Sequence, residues 1–258
     1  VRLVAQGVTF SYPRSPEPVL KGVDFDIPSG HSAAIIGPSG SGKTTLLSLI
    51  GRLLSMQEGT VQALAPDGTA RPPHEVASWV FQTISLLPDR TAADNVAVGA
   101  YSDGSSREEA RARAGDYLGM VGLTPQADTP ARILSGGEAQ RVAIARALAS
   151  HRPVILADEP TGQLDAKTSA SVLDAMIGSH GERTVLVVTH DPEVADRCDL
   201  VLELRDGQVH ELRAGANGRL SVARAGRPKG ARGKTGAARR PKATAKRPTR
   251  AKSKKGTS

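Results

Sequence analysis

Arg2 to Phe10 alternates polar and apolar side chains at the period of a half-buried strand, and Ser11-Tyr12-Pro13 ends it. Arg14 to Pro18 is a Pro-rich loop. Val19-Leu20 and Val23 to Ile27 continue in strand pattern, and Pro28-Ser29-Gly30 turns the chain. His31 to Ile36 is nearly continuous apolar sequence, as in a strand buried on both faces. A helix is predicted to about Leu54, then a short strand over Gly59 to Ala63. Turns follow at Pro66-Asp67-Gly68 and Pro72-Pro73, and a strand over Ser78 to Phe81 ends at Gln82.

The pattern then becomes helical. Ala92 to Tyr101, Arg107 to Val121 and Gly136 to Ser150 read as helices, so residues of about 83–150 form an α-helical insertion. Strand pattern returns at Arg152 to Ala157, a helix at Asp165 to His180, a strand at Thr184 to Thr189 and a short helix from Pro192. Leu200 to Arg205 and Gln208 to Arg213 flank Asp206-Gly207, a hairpin signal. Strands alternating with helices predict an α/β fold with a mixed, largely parallel sheet. The first and last strands are expected to add antiparallel pieces. The expected domain covers residues 1–213.

The chemistry begins at Gly37-Pro38-Ser39-Gly40-Ser41-Gly42-Lys43-Thr44-Thr45, which fits G-x-x-x-x-G-K-[ST] between a predicted strand and a predicted helix. Glycines let successive backbone N–H groups turn inward onto phosphate oxygens, and a helix N-terminus adds partial positive charge. Lys43 is placed to reach the outer phosphates and Thr44 to offer a hydroxyl to Mg²⁺. A second element, Val154-Ile155-Leu156-Ala157-Asp158-Glu159, ends an apolar strand in two carboxylates. Alone it is a strand end. Beside a phosphate loop, Asp158 becomes a candidate for Mg²⁺ or its water, and Glu159 a candidate base for water attacking the γ-phosphate. A third element, Leu134-Ser135-Gly136-Gly137-Glu138, opens a helix with an N-cap serine and two glycines. It is a capped helix and also a second possible anion site.

In this order and spacing the motifs resemble the nucleotide-binding subunits of ATP-binding-cassette (ABC) transporters, over residues 1 to about 213. The resemblance implies a P-loop ATPase of ABC type that hydrolyses ATP with Mg²⁺. It implies a head-to-tail homodimer, or pairing with another such subunit, and a separate transmembrane permease. It assigns Ser135, Gly136 and Gly137 to the γ-phosphate across the dimer. Gln82 is assigned to Mg²⁺, water and γ-phosphate sensing, and Asp165 to the link between the two sites. His190 is assigned to the γ-phosphate and to the positioning of Glu159, and Tyr12 to stacking on adenine. Thr44, His31 and Gln163 depart mildly from the usual residues without removing a catalytic group. The stretch Val80 to Val96, with Glu159-Pro160-Thr161-Gly162, resembles the MacB/LolD/FtsE group, which serves lipoprotein release, macrolide or peptide export, or divisome signalling. On this resemblance, residues 83–101 receive the permease. An adaptor that signals through a membrane partner without moving cargo is the alternative. A DNA-associated ABC ATPase is disfavoured by the Leu86-Leu87-Pro88 segment and by the lack of a long coiled-coil insertion.

Composition changes this picture at the C-terminus. The 258 residues carry a formal net charge of +8. Residues 213–258 hold 16 Lys or Arg and no Asp or Glu, whereas the 212 before them hold 18 basic and 26 acidic side chains. An acidic globule thus carries a basic tail. Residues 214–258 are expected to be disordered for want of apolar surface to bury. That tail is open to three readings: a solvated extension, contact with anionic lipid, or nucleic-acid binding. It has no aromatic residue for base stacking, which makes nucleic acid the least favoured partner. No apolar run approaches membrane-spanning length and no signal-peptide pattern opens the sequence, so a peripheral place on the cytoplasmic side of the membrane is expected. Cys198, the single cysteine, reads as a small buried hydrophobe.

Overall fold

The computed structural model describes residues 1–15, 17–178, 183–214 and 220–222. The first sheet contains β1 (Arg2–Phe10), β2 (Leu20–Ile27), β4 (Glu58–Leu64) and β5 (Ala70–Arg71), ordered β2-β1-β4-β5 and antiparallel throughout. β1 buries Leu3 and Ala5, then Val8 and Phe10. The change of phase follows from a bulge at Gly7, whose φ of 61° suits glycine. Without that bulge, a strict period of two would turn Val8 and Phe10 to the opposite face from Leu3 and Ala5.

The second sheet holds the site. It comprises β3 (Ser32–Ile36), β6 (Ala77–Val80), β7 (Val154–Asp158), β8 (Thr184–Val188), β9 (Leu200–Arg205), β10 (Gln208–Ala214) and β11 (Leu220–Val222), in the order β11-β10-β9-β3-β8-β7-β6. β9, β3, β8, β7 and β6 are parallel, while β10 and β11 extend the edge antiparallel. β7 and β8 are buried at every position, which explains their uninterrupted apolar sequences. In register, Ile35 of β3 lies beside Val188 of β8, and Val188 beside Asp158 of β7. The loops leaving these strands therefore emerge at one level.

Helices α1 (Lys43–Ile50), α2 (Pro73–Val76), α6 (Ala166–Ile177) and α7 (Pro192–Asp196) accompany the sheets. The insertion is built from α3 (Ala92–Tyr101), α4 (Arg107–Met120) and α5 (Gly136–Ala149), with 3-10 turns at Thr124–Gln126 and Ala131–Ile133. It has its own core, including Val96, Leu118, Leu123 and Val142, all 0% exposed. Ser106 and Ser135 cap α4 and α5 in reciprocal capping boxes with Glu109 and Glu138.

Several boundaries differ from expectation. α1 stops at Ile50 rather than Leu54, because Gly51 caps it and Arg52 turns left-handed, with φ 60°. A Cβ on Gly51 would lie 1.8 Å from the Trp79 ring. Pro72-Pro73 does not simply turn the chain. Pro73 starts α2, where its missing N–H costs nothing. The sheet also continues past residue 213, through the end of β10 and β11, so a boundary at 213 falls inside a strand. Residues 223–258, the bulk of the expected tail, lie outside the described residues, as do 179–182 at the expected end of α6.

Candidate functional site

Four loops leaving the C-terminal ends of β3, β8, β7 and β6 meet at one cleft of about 660 Å³, with Tyr12 and Val19 from the β1–β2 connection on its wall. Its lining includes Gly37, Ser39, Gly40, Gly42, Lys43, Thr44, Thr45, Gln82, Asp158, Glu159 and His190. Ligand crevices at the carboxyl ends of parallel strands are a general property of open α/β sheets.

The Gly37–Gly42 loop is shaped by close approaches. A Cβ on Gly37 would lie 2.3 Å from the Leu204 carbonyl oxygen, and one on Gly42 2.8 Å from Val19 Cγ1. Gly42, with φ 101°, is the N-cap of α1 and supplies no side-chain cap, and the first turn carries no acidic residue. The leading N–H groups of α1 thus lack a side-chain acceptor, which favours an anion. The Lys43 ammonium donates to the carbonyls of Gly37 and Pro38, both at 2.9 Å. Ser41 Oγ is buried and has no protein partner among the described residues. Amide donors, an ammonium and an orphaned hydroxyl on one loop fit a nucleotide polyphosphate.

Thr44 Oγ1 lies 3.5 Å from Asp158 Oδ1. Burial pushes the Asp158 carboxyl above the usual carboxylate range, against the lowering pull of the Thr44 hydroxyl and Lys43. A buried carboxylate facing a hydroxyl suits a hard cation. Among the described residues no cluster of three or more His, Cys, Asp or Glu side chains forms a closed metal cage. None is required, because Mg²⁺ is commonly held by one or two protein groups together with substrate phosphates. Thr44, Asp158 and Gln82 are the side chains that would hold it, with all three on the cleft wall.

Glu159 has a left-handed backbone, with φ 46°, unusual for a residue with a side chain. Its N–H donates to the Val188 carbonyl at 2.9 Å. The carboxylate accepts from Thr189 Oγ1 at 3.2 Å and meets His190 Nδ1 at 2.8 Å. The hydrogen bond with Glu159 holds the His190 imidazolium above its ordinary range. His190 is 78% exposed at the side chain and Glu159 only 14%. The pair therefore runs from the protein interior to the cleft mouth. Thr189 was not singled out by sequence. Its signal was the hydroxyl between Val188 and His190, which is unremarkable before the strand end is known.

Tyr12 OH bonds Thr45 Oγ1 at 3.0 Å, and its ring meets Phe10 edge-on at 5.1 Å. The ring is thus fixed on the cleft wall. Pro38 and Ser41 belong to the loop but do not line the cleft. Ser135, Gly136, Gly137 and Asp165 lie outside it. Gly136 and Gly137 adjoin the Gln163–Leu164 segment instead, where a Cβ on Gly136 would be 2.6 Å from Gln163 Oε1, and Asp165 caps α6 by accepting from Thr168 N. The Thr168 side-chain and backbone hydrogen bonds hold the Asp165 carboxyl below its usual range. Cys198 is buried away from the site, and burial pushes its thiol up to about 12.

A parallel α/β sheet with this phosphate loop, paired strand-end carboxylates and a hydrogen-bonded Glu–His pair defines a P-loop nucleoside triphosphatase. The ABC transporter family pattern matches residues 20–162, and the chain belongs to that family as an ABC-type ATPase. It is 42% identical over 216 residues to the lipoprotein-releasing system ATP-binding protein LolD 1 of Rhodopirellula baltica, covering 80% of this chain and 94% of that protein. Identity to LolD 1 of Caulobacter vibrioides is 47% over 201 residues, covering 74% and 86%. The macrolide export ATP-binding/permease protein MacB of Salmonella typhi is 41% identical over 213 residues, covering 78% of this chain but only 33% of MacB. A solved dimeric ATP-binding cassette in a post-hydrolysis state, bound to ADP and Pi, superposes with a TM-score of 0.72 at 36% identity, covering 82% of this chain and 98% of that one.

Proposed function

We propose that this chain is the ATP-hydrolysing subunit of a LolD/MacB-type transporter, pairing head to tail with a second cassette and driving a separate membrane permease. The observation that carries the reading is the division of the phosphate-binding elements. The Gly37–Thr45 loop lines the cleft with Glu159 and His190, whereas the Ser135–Gly137 helix start does not. A second copy supplying Ser135, Gly136 and Gly137 gives each cleft a lid. Tyr12 stacks on adenine, and Lys43 and the loop amides hold the phosphates. Glu159 accepts the proton of the attacking water, and His190 orients the Glu159 carboxylate and contacts the γ-phosphate. Asp165 links the two sites. Thr44, Asp158 and Gln82 would hold Mg²⁺, which when bound would supply charge neutralisation at the phosphates. Relatives named for lipoprotein release and macrolide export support an export cargo of lipoprotein, peptide or drug type. No helix among the described residues is long and apolar enough to cross a membrane. The 13 Lys and Arg residues after Arg224 form a basic extension suited to contact with anionic lipid beside that permease.

Glu159→Gln tests both halves of the reading. It should lower hydrolysis by about 10²–10⁴-fold, the usual weight of a general base, while ATP binding persists. The variant should also elute as a dimer with ATP. Normal turnover refutes the base assignment, and a monomer with bound ATP refutes the pairing.

A further inference from the structure

Gln140 lies on α5, one turn beyond Gly136-Gly137, and is 1% exposed. Its Nε2 donates to the Pro160 carbonyl at 3.0 Å, while its Oε1 has no partner among the described residues. A carbonyl only accepts, so the amide orientation is fixed by chemistry. A buried amide left half satisfied is a poor stabiliser, and its single bond falls on the residue after Glu159. That backbone is held in the left-handed region at Glu159 and needs restraint from its surroundings. The Glu159–Asp165 loop meets α5 again three residues on, where a Cβ on Gly137 would lie 3.3 Å from the Gln163 carbonyl oxygen. The start of α5 and the loop carrying the catalytic carboxylate thus bear on each other at two points.

We propose that Gln140 is a positioning residue, whose bond to Pro160 ties the Glu159 backbone to the Ser135–Gly137 helix and so couples the two ATP sites of a dimer. The inference rests on the head-to-tail pairing proposed above. In that arrangement Ser135–Gly137 of one chain attends the partner's nucleotide, while Glu159 attends its own. Engagement at one site pulls on α5, and the Gln140 amide passes the displacement to the base at the other.

The test compares Gln140→Met and Gln140→Glu with the native full chain, measuring ATPase rate against ATP concentration. The native dimer should show positive cooperativity. Gln140→Met keeps the volume but cannot donate. It should lose cooperativity and roughly tenfold to a hundredfold in kcat, the scale of a small misplacement of a catalytic group, with ATP affinity unchanged in a Glu159→Gln background. Gln140→Glu donates only when protonated, a state that burial favours. Its rate and cooperativity should recover as pH falls, a limb absent from the native profile. A Gln140→Met enzyme that keeps its cooperativity overturns the proposal, as does a Gln140→Glu profile parallel to the native one. Failure of Glu159→Gln to dimerise with ATP would instead remove the pairing itself, so the two failures are distinguishable.

Discussion

Replacing Gly37 by alanine separates the geometry of the phosphate loop from its composition. Gly37 has φ 150°, where side chains are rarely found, and the new Cβ would stand 2.3 Å from the Leu204 carbonyl oxygen. Leu204 cannot easily retreat, because β9 is paired to β3 on one side and to β10 on the other. The backbone strain alone costs about 1–3 kcal/mol. With about 1–3 kcal/mol of overpacking added, the total is about 2–6 kcal/mol. If the loop keeps its shape, that cost appears as stability, at roughly 2–4 °C of Tm per kcal/mol for a domain of this size. If the loop relaxes, it appears as affinity, at about tenfold per 1.4 kcal/mol, or roughly thirtyfold to ten-thousandfold in ATP Kd. Gly40→Ala is the control. Gly40 has φ 78° but nothing within 4 Å of a Cβ, so it should bear the backbone cost without the clash. Calorimetric ATP titration and thermal melts of the nucleotide-free protein read both channels. A Gly37→Ala protein no worse than Gly40→Ala in both would refute the reasoning.

Asp158→Asn should raise the Tm of the nucleotide-free protein near neutral pH while lowering ATPase activity by about a hundredfold or more. The sign follows from burial. A carboxyl raised in the folded state is destabilising when ionised, so native stability is regained as pH falls toward that raised value. The Tm advantage of Asp158→Asn should therefore shrink as the medium is acidified, and melts across a pH series check it. Truncation after Arg224 removes 13 Lys or Arg residues but leaves the Val1–Arg224 unit whole. ATPase activity should be unchanged, and binding to anionic vesicles should weaken and lose its salt sensitivity. At about 1 kcal/mol per engaged basic residue, four contacts correspond to roughly a thousandfold. Unchanged vesicle binding rejects the lipid contact.

Periodicity located α4 at Arg107–Met120 and β1 at Arg2–Phe10, because each exposes one face to water and the pattern is written in side chains. The end of α1 was less legible. It is set by the Trp79 ring packed over Gly51, a contact between positions 28 residues apart. β5 and β11 are two and three residues long and exist through pairing with β4 and β10, so local propensity carries no trace of them. In the site, Lys43, Asp158 and Glu159 stood out because motif and spacing select them. Thr189 and Gln140 did not, since an isolated hydroxyl or amide acquires meaning only from what it faces.

The sheet order has a mechanical consequence. β3, β8 and β7 are each flanked by strands on both sides, whereas β6 ends the sheet and is bonded to β7 alone. The loop bearing Gln82 and the start of the helical insertion hang from this free margin, and Arg146 of α5 reaches back to it through the Ser85 carbonyl at 2.7 Å. The β6 side of the cleft is thus the one whose strand has a single hydrogen-bonded neighbour. A shift of α5 reaches the Glu159 loop through the Gln140–Pro160 bond, whereas the Gln82 side rests on a strand paired along one edge only. On the proposed function, nucleotide-driven movement would enter the insertion on the Gln82 side, with β3, β8 and β7 as its abutment.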